Sequence, residues 1–211
     1  MSPFRRKATE LYVSRHGAAT LTDAPRAGAT LDILVSDALT RYWILDCPPG
    51  LASAHELDLL AADRFATLFG ADPADWVIRV DPVPQAGRWL ACALPRPVAE
   101  DLPGQAAARG WQPRSVVPRF VREYNRHCRR LDRTAAFCVA AEDSTTLGLI
   151  EEGEWRGIRV HPPLDRSQAG FSALLYRDCR QAGLRHDRQQ ALRPLVVGAL
   201  RALAFPEALT P

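Results

Sequence analysis

The run from Ser53 to Gly70 constrains the fold of this chain more than any other stretch. Ser53 can accept the backbone N–H three residues on, and Glu56 at that position completes a capping box. Leu57, Leu60, Ala61, Phe65, Leu68 and Phe69 then recur at three- and four-residue spacing, which predicts a helix with one apolar stripe. Gly70 supplies the left-handed residue that stops it. Strands are expected on both sides: Arg41–Cys47 before the helix, Trp76–Val80 and Arg88–Leu94 after it. The turn between the last two holds Pro82, Pro84 and Gly87, which limits how far they can pair. Strands and helices follow one another in an order that reads as α/β class.

Upstream, Leu11 and Val13 alternate with polar neighbours, and a turn at His16-Gly17 predicts a hairpin over residues 9–22. Leu31, Ile33 and Val35 alternate as a strand, Asp37-Ala38 turns, and Arg41–Cys47 is expected to return beside it. Downstream, a helix is predicted near 97–109, tolerating Pro97 in its first turn but disturbed by Pro103-Gly104. A brief strand at Ser115–Val117 precedes a helix from Pro118 to about Leu131. After Asp132-Arg133 the pattern restarts with strands at Ala135–Ala141, Thr145–Glu151 and Trp155–Val160, joined by turns at Asp143-Ser144 and Glu152-Gly153. A helix at 167–182 buries Phe171, Leu174, Leu175 and Cys179, and a final strand covers 193–198.

Composition excludes several classes. With 211 residues and 47% apolar side chains the chain can build one large or two small cores. No apolar run approaches the roughly 20 residues that span a bilayer, and no apolar region follows the basic N-terminus, so the cytoplasm is the expected compartment. Cys47, Cys92, Cys128, Cys138 and Cys179 are widely spaced and odd in number, with no Cys-x-x-Cys, which reads as buried small side chains rather than a disulfide framework or a metal site. A net charge of +3 is too small to argue for nucleic acid by itself. Lys7 is the only lysine, and the Arg-rich usage carries no functional reading.

Four places carry a resemblance: Cys47-Pro48-Pro49 closing a strand, Ser53-Ala54-His55-Glu56 opening a helix, Leu90-Ala91-Cys92-Ala93 as a strand of small residues, and Ala108-Arg109-Gly110-Trp111 closing the next helix. In this order they resemble the actin-like proteins of type IV pilus and type II secretion platforms, typified by PilM and the cytoplasmic domain of the type II secretion L protein. The resemblance implies two ribonuclease-H-like lobes in actin-like ATPase superfamily architecture: residues 1–131 with an inserted strand-helix subdomain, and residues 132–211 as a shortened second lobe. It also implies a non-catalytic cytoplasmic scaffold that reaches the inner membrane through partners. In PilM-like relatives a first-lobe groove takes the cytoplasmic tail of a membrane protein, and in type II secretion the equivalent domain holds the assembly ATPase. Residues 31–117 would contain such a groove here, and a homodimer stays open.

The same resemblance implies where ATP chemistry would sit, namely in one phosphate loop per lobe, typically Asp-x-Gly. The first-lobe position reads Val13-Ser14-Arg15-His16-Gly17, with Arg and His where the acid belongs. The second reads Val139-Ala140-Ala141-Glu142-Asp143-Ser144-Thr145-Thr146, keeping acids and hydroxyls but no Gly. Neither loop matches, so no cofactor, metal or catalytic residue is expected, while an actin-like ATPase or sugar-kinase relative remains the enzyme alternative. The five histidines show no ligand spacing, and no Gly-x-Ser-x-Gly elbow marks a nucleophile.

One feature is unabsorbed. On the helix from Pro118, Phe120, Tyr124, Cys128 and Leu131 share one side, while Arg119, Arg122, Arg126, Arg129 and Arg133 recur on the other. These arginines are expected in solvent, either as a plain solvated face or as a docking strip for an acidic partner segment, a lipid surface or nucleic acid. No aromatics suited to base stacking accompany them, which weighs against nucleic acid.

Overall fold

A computed structural model describes residues 9–16, 19–21, 27–46, 48, 50, 53–82, 88–164, 168–184 and 192–198. In chain order its elements are β1 (Thr9–Val13), β2 (Ala19–Leu21), β3 (Thr30–Val35), β4 (Arg41–Asp46), α1 (Ala54–Phe69), β5 (Trp76–Pro82), β6 (Arg88–Pro95), α2 (Arg96–Ala108), β7 (Gln112–Pro118), α3 (Arg119–His127), β8 (Ala135–Ala140), β9 (Thr145–Glu151), β10 (Glu154–His161), α4 (Gln168–Gln181) and β11 (Arg193–Gly198). They build three sheets, ordered β2-β1-β3-β7, β4-β6-β5 and β10-β9-β8-β11.

The capping box forms as its residues require. The Glu56 N–H donates to Ser53 Oγ at 3.2 Å, the Ser53 N–H donates to Glu56 Oε2 at 3.1 Å, and Gly70 ends α1 at φ 61°. Ala61 and Phe65 are fully buried against Trp43, Leu45, Ala91 and Ala93, and the Phe65 ring lies 5.5 Å from Trp43 and 5.2 Å from Trp76. Burial of one such Phe is worth roughly 1.5–3 kcal/mol. Leu68 departs from the expected stripe and is 56% exposed. Its neighbour Phe69 takes the contact with Trp43 at 5.9 Å.

β4 does not return beside β3. Both edges of β3 are already filled by parallel neighbours, β1 with Leu11 opposite Ile33 and β7 with Ile33 opposite Val116. A short 3-10 turn at Asp37–Leu39, capped by the Ser36 hydroxyl, sends the chain into the second sheet, where β4 pairs with β6. Other boundaries also shift. α2 runs through Pro103 to Ala108, β7 is longer than the brief strand expected, and α3 ends at His127, with a 3-10 turn at Cys128–Arg130 in place of the last helical turn.

Four cores result. Leu11, Val13, Leu31, Ile33 and Val35 cover one face of the first sheet against Leu94 and Ala106, and α1 covers the second sheet. On the third sheet Cys138, Leu147 and Leu149 pack against Phe171, Leu175 and Cys179 of α4. Burial pushes the Cys138 and Cys179 thiols up to about 12, with the Asp178 charge adding at Cys179, so both are inert at neutral pH. Cys92 and Cys128 are only half-buried, and Cys47 lies outside the described residues.

The fourth core is built around α3. Phe120 is fully buried, with Phe137 at 5.3 Å, Tyr42 at 5.8 Å and Trp155 at 5.9 Å, and Tyr124 lies 4.9 Å from Trp155. Gly148 of β9 makes room for these rings, since a Cβ there would meet Trp155 at 2.5 Å and Phe120 at 2.7 Å.

Candidate functional site

The turn after β1 and the turn after β8 meet face to face. Each follows the first strand of its sheet's hairpin, and Asp143 joins them. The Tyr12 hydroxyl donates to Asp143 Oδ1 at 2.9 Å, and the Arg15 backbone N–H donates to Asp143 Oδ2 at 2.9 Å. The Ser144 hydroxyl adds a bond at 3.3 Å, and the Ala141 N–H closes the second turn on the Ser144 carbonyl at 2.8 Å. Burial alone would raise the Asp143 pKa. The bonds from Arg15, Ser36, Tyr12 and Ser144 outweigh that and hold it below the usual carboxylate value. Burial pushes the Tyr12 phenol the other way, to about 12, so it stays a donor.

Of the remaining loop positions, Ser144 is buried, Glu142 is exposed, Gly17 lies outside the described residues, and the exposed His16 presents Nε2 to the Arg15 guanidinium at 3.0 Å. The Arg15 amide is therefore bonded to a carboxylate that stays ionised at neutral pH. At the end of β11, Gly198, at φ 99°, lies so near its paired residue Ala140 that a Cβ would come within 2.1 Å of the Ala140 carbonyl oxygen.

The arginine strip is only partly in solvent: Arg126, Arg129 and Arg133 are exposed, whereas Arg119 and Arg122 are half-buried. α3 turns its aromatic side to the third sheet and its arginines to the polar face of the first sheet. Arg119 lies over the Tyr12 ring at 5.2 Å. Arg122 pairs with Asp32 at 2.9 Å and Glu10 at 3.1 Å, and Arg126 pairs with Glu10 and with Glu123 at 3.2 Å. Arg133 donates to the Glu152 carbonyl at 3.1 Å, and Arg129 is exposed. Three of the five therefore bind the chain's own first sheet. Fully buried Asp32 is held further by Arg114 Nε at 2.9 Å and the Ser115 hydroxyl at 2.7 Å. Burial opposes its ionisation, but these donors and the charges of Arg114 and Arg122 lower its pKa on balance.

Two buried carboxylates that join distant elements are not legible in the sequence as such. Asp32 interrupts the apolar strand Leu31-Asp32-Ile33-Leu34, and a charge inside such a strand signals a buried partner. Asp37 is fully buried and accepts the Phe120 N–H at 3.0 Å and the Tyr42 hydroxyl at 2.5 Å. It caps α3 from 83 residues away, where Pro118 offers no side-chain cap. Burial pushes its pKa up to about 6 despite those donors. Within residues 31–117, the space between β4 and α1 is filled by Trp43, Phe65 and Phe69.

Sheet order and helix placement together define the actin-like ATPase fold. The chain is similar to the cytoplasmic domain of EpsL, an inner-membrane component of the type II secretion system of Vibrio cholerae, with TM-score 0.57 and 11% identity over 95% of this chain and 85% of that one. It is similar to the PilM-PilN type IV pilus biogenesis complex, with TM-score 0.53 and 12% identity over 87% of this chain and 68% of that one. A Bacteroides thetaiotaomicron protein of actin-like ATPase fold and unknown function matches with TM-score 0.51 and 9% identity over 93% and 84% of the two chains. No protein-family model and no curated protein matches the sequence. No described helix is long and apolar enough to cross a membrane.

Proposed function

We propose that this protein is a non-catalytic scaffold of a type IV pilus or type II secretion-like assembly platform. In this role it holds the cytoplasmic tail of a membrane protein, or the assembly ATPase, at the cytoplasmic face of the inner membrane. Its first lobe, residues 1–131, and its shortened second lobe, residues 132–211, act as one body. The observation that carries the reading is Asp143, whose carboxylate occupies the Arg15 amide that a nucleotide would need. The likeness in fold to EpsL and PilM supports the choice of machine.

A ligand at a hundredfold excess over its Kd raises stability by about 2.7 kcal/mol. Thermal unfolding with ATP and magnesium is therefore expected to show no shift, and site-specific photo-crosslinking in the native host to capture a membrane-protein tail or an assembly ATPase. A clear stabilisation by ATP would overturn the reading, as would crosslinks confined to proteins with neither character.

A further inference from the structure

β4 and β10 run beside each other at the junction of the second and third sheets without pairing, each at the end of its own sheet. Where β4 begins and β10 ends they line a groove of about 570 Å³ with Arg41 and Tyr42 on one side and Ile158, Arg159 and His161 on the other, completed by Arg177 from α4. Tyr42 and Ile158 are buried and give it an apolar base. No carboxylate lines it among the described residues. Buried Asp178 is engaged by His161 Nε2 at 2.6 Å and lies 3.6 Å from Arg177.

Arg41 and Arg159 have no carboxylate partner among the described residues, and both are exposed. Arg41 is held over the Trp76 ring at 5.7 Å, a contact that orients a guanidinium without neutralising it. Arg180 adjoins the groove and lies over Tyr176 in the same manner at 6.0 Å. Arg122 and Arg126 of α3 are answered by acids within the molecule, whereas Arg41 and Arg159 of this groove have no such partner among the described residues.

We infer that the groove docks an extended acidic segment of a partner protein, an inference that rests on the scaffold role proposed above. An extended backbone can hydrogen-bond to an unpaired strand edge, and its carboxylates match guanidinium forks two bonds at a time. A polynucleotide would need exposed aromatic faces for its bases, but of the aromatics that line the groove Tyr42 is buried and Phe69 is half-buried.

The test uses the full chain and fluorescence anisotropy with a labelled peptide of alternating Glu and Val. Binding is expected to weaken by about tenfold or more when Gln replaces Glu in the peptide, and likewise for R41E/R159E. The control R79E/R109E, at exposed arginines elsewhere, should stay within about twofold of wild type. R41Q/R159Q repeats the test should charge reversal disturb folding, and unchanged thermal melting certifies either variant. Failure of the Glu peptide to bind overturns the inference. So does equal binding of the Gln peptide, insensitivity to Arg41 and Arg159, or preferential binding of single-stranded DNA or phosphatidylglycerol vesicles through those residues. A membrane-protein tail or ATPase that still crosslinks to R41E/R159E removes the groove alone and leaves the scaffold standing. Stabilisation by ATP removes the scaffold itself.

Discussion

Asp143 accepts the backbone N–H of Arg15 at 2.9 Å across 128 residues of sequence. With the Tyr12 hydroxyl as second donor, one carboxylate ties the hairpin of the first sheet to that of the third. The bond makes the Arg15 backbone amide part of an internal joint between the two turns.

Asp143→Ala should lower stability by about 2 kcal/mol at neutral pH in urea unfolding, because two donors lose a charged acceptor. The folded pKa of Asp143 is depressed, so its contribution is complete above the unfolded value near 3.8 and is lost as pH falls through the folded value. Variant and wild type should therefore converge in acid. A gap that stays constant down to that range would show that the charge is not what joins the turns.

Arg122→Glu should destabilise the protein by more than about 2 kcal/mol, since it sets a third acid against fully buried Asp32 and Glu10. Arg129→Glu should stay within about 0.5 kcal/mol of wild type, because Arg129 is exposed. Equal stability of the two variants in denaturant titrations would contradict the packing of α3 on the first sheet.

Asp37 has its folded pKa raised from 3.8 to about 6, so its favourable contribution is full below the unfolded value and is lost as pH rises through 6. The difference corresponds to about 3 kcal/mol. Asp37→Asn keeps an acceptor for Phe120 and Tyr42 without the buried charge. It should unfold at higher urea than wild type at pH 7, with the advantage fading toward pH 4. A variant that is weaker at both pH values would show that the ionised form is needed as the cap of α3.

Gly148→Ala should cost about 1–3 kcal/mol, because the new methyl would overlap Trp155 and Phe120 in a core with no free space. Tryptophan fluorescence during unfolding reports directly on that cluster. A neutral result would mean the rings move apart more easily than their packing implies.

The elements of this fold are local events and were legible in the sequence. The Ser53-Glu56 capping box, the Phe65 stripe and Gly70 specify α1 through contacts within a few residues, and the alternation in β3 and the continuous apolar run of β8 specify buried strands. The partners of those elements were not legible. β4 joins the second sheet because β3 has both edges filled, a fact held by β1 and β7 and not by the turn between β3 and β4. The arginines of α3 read as a solvated strip because helical spacing reveals which residues share a face, but not what lies opposite. Tertiary structure puts Glu10 and Asp32 there, from strands more than eighty residues earlier. Asp143 likewise reads as a turn residue until the third sheet brings it to Arg15. Charges and hydrogen bonds act over a few ångströms whatever the sequence distance, so composition and periodicity determined the elements, while only the packing of three sheets decided which charges are joints and which remain open to a partner.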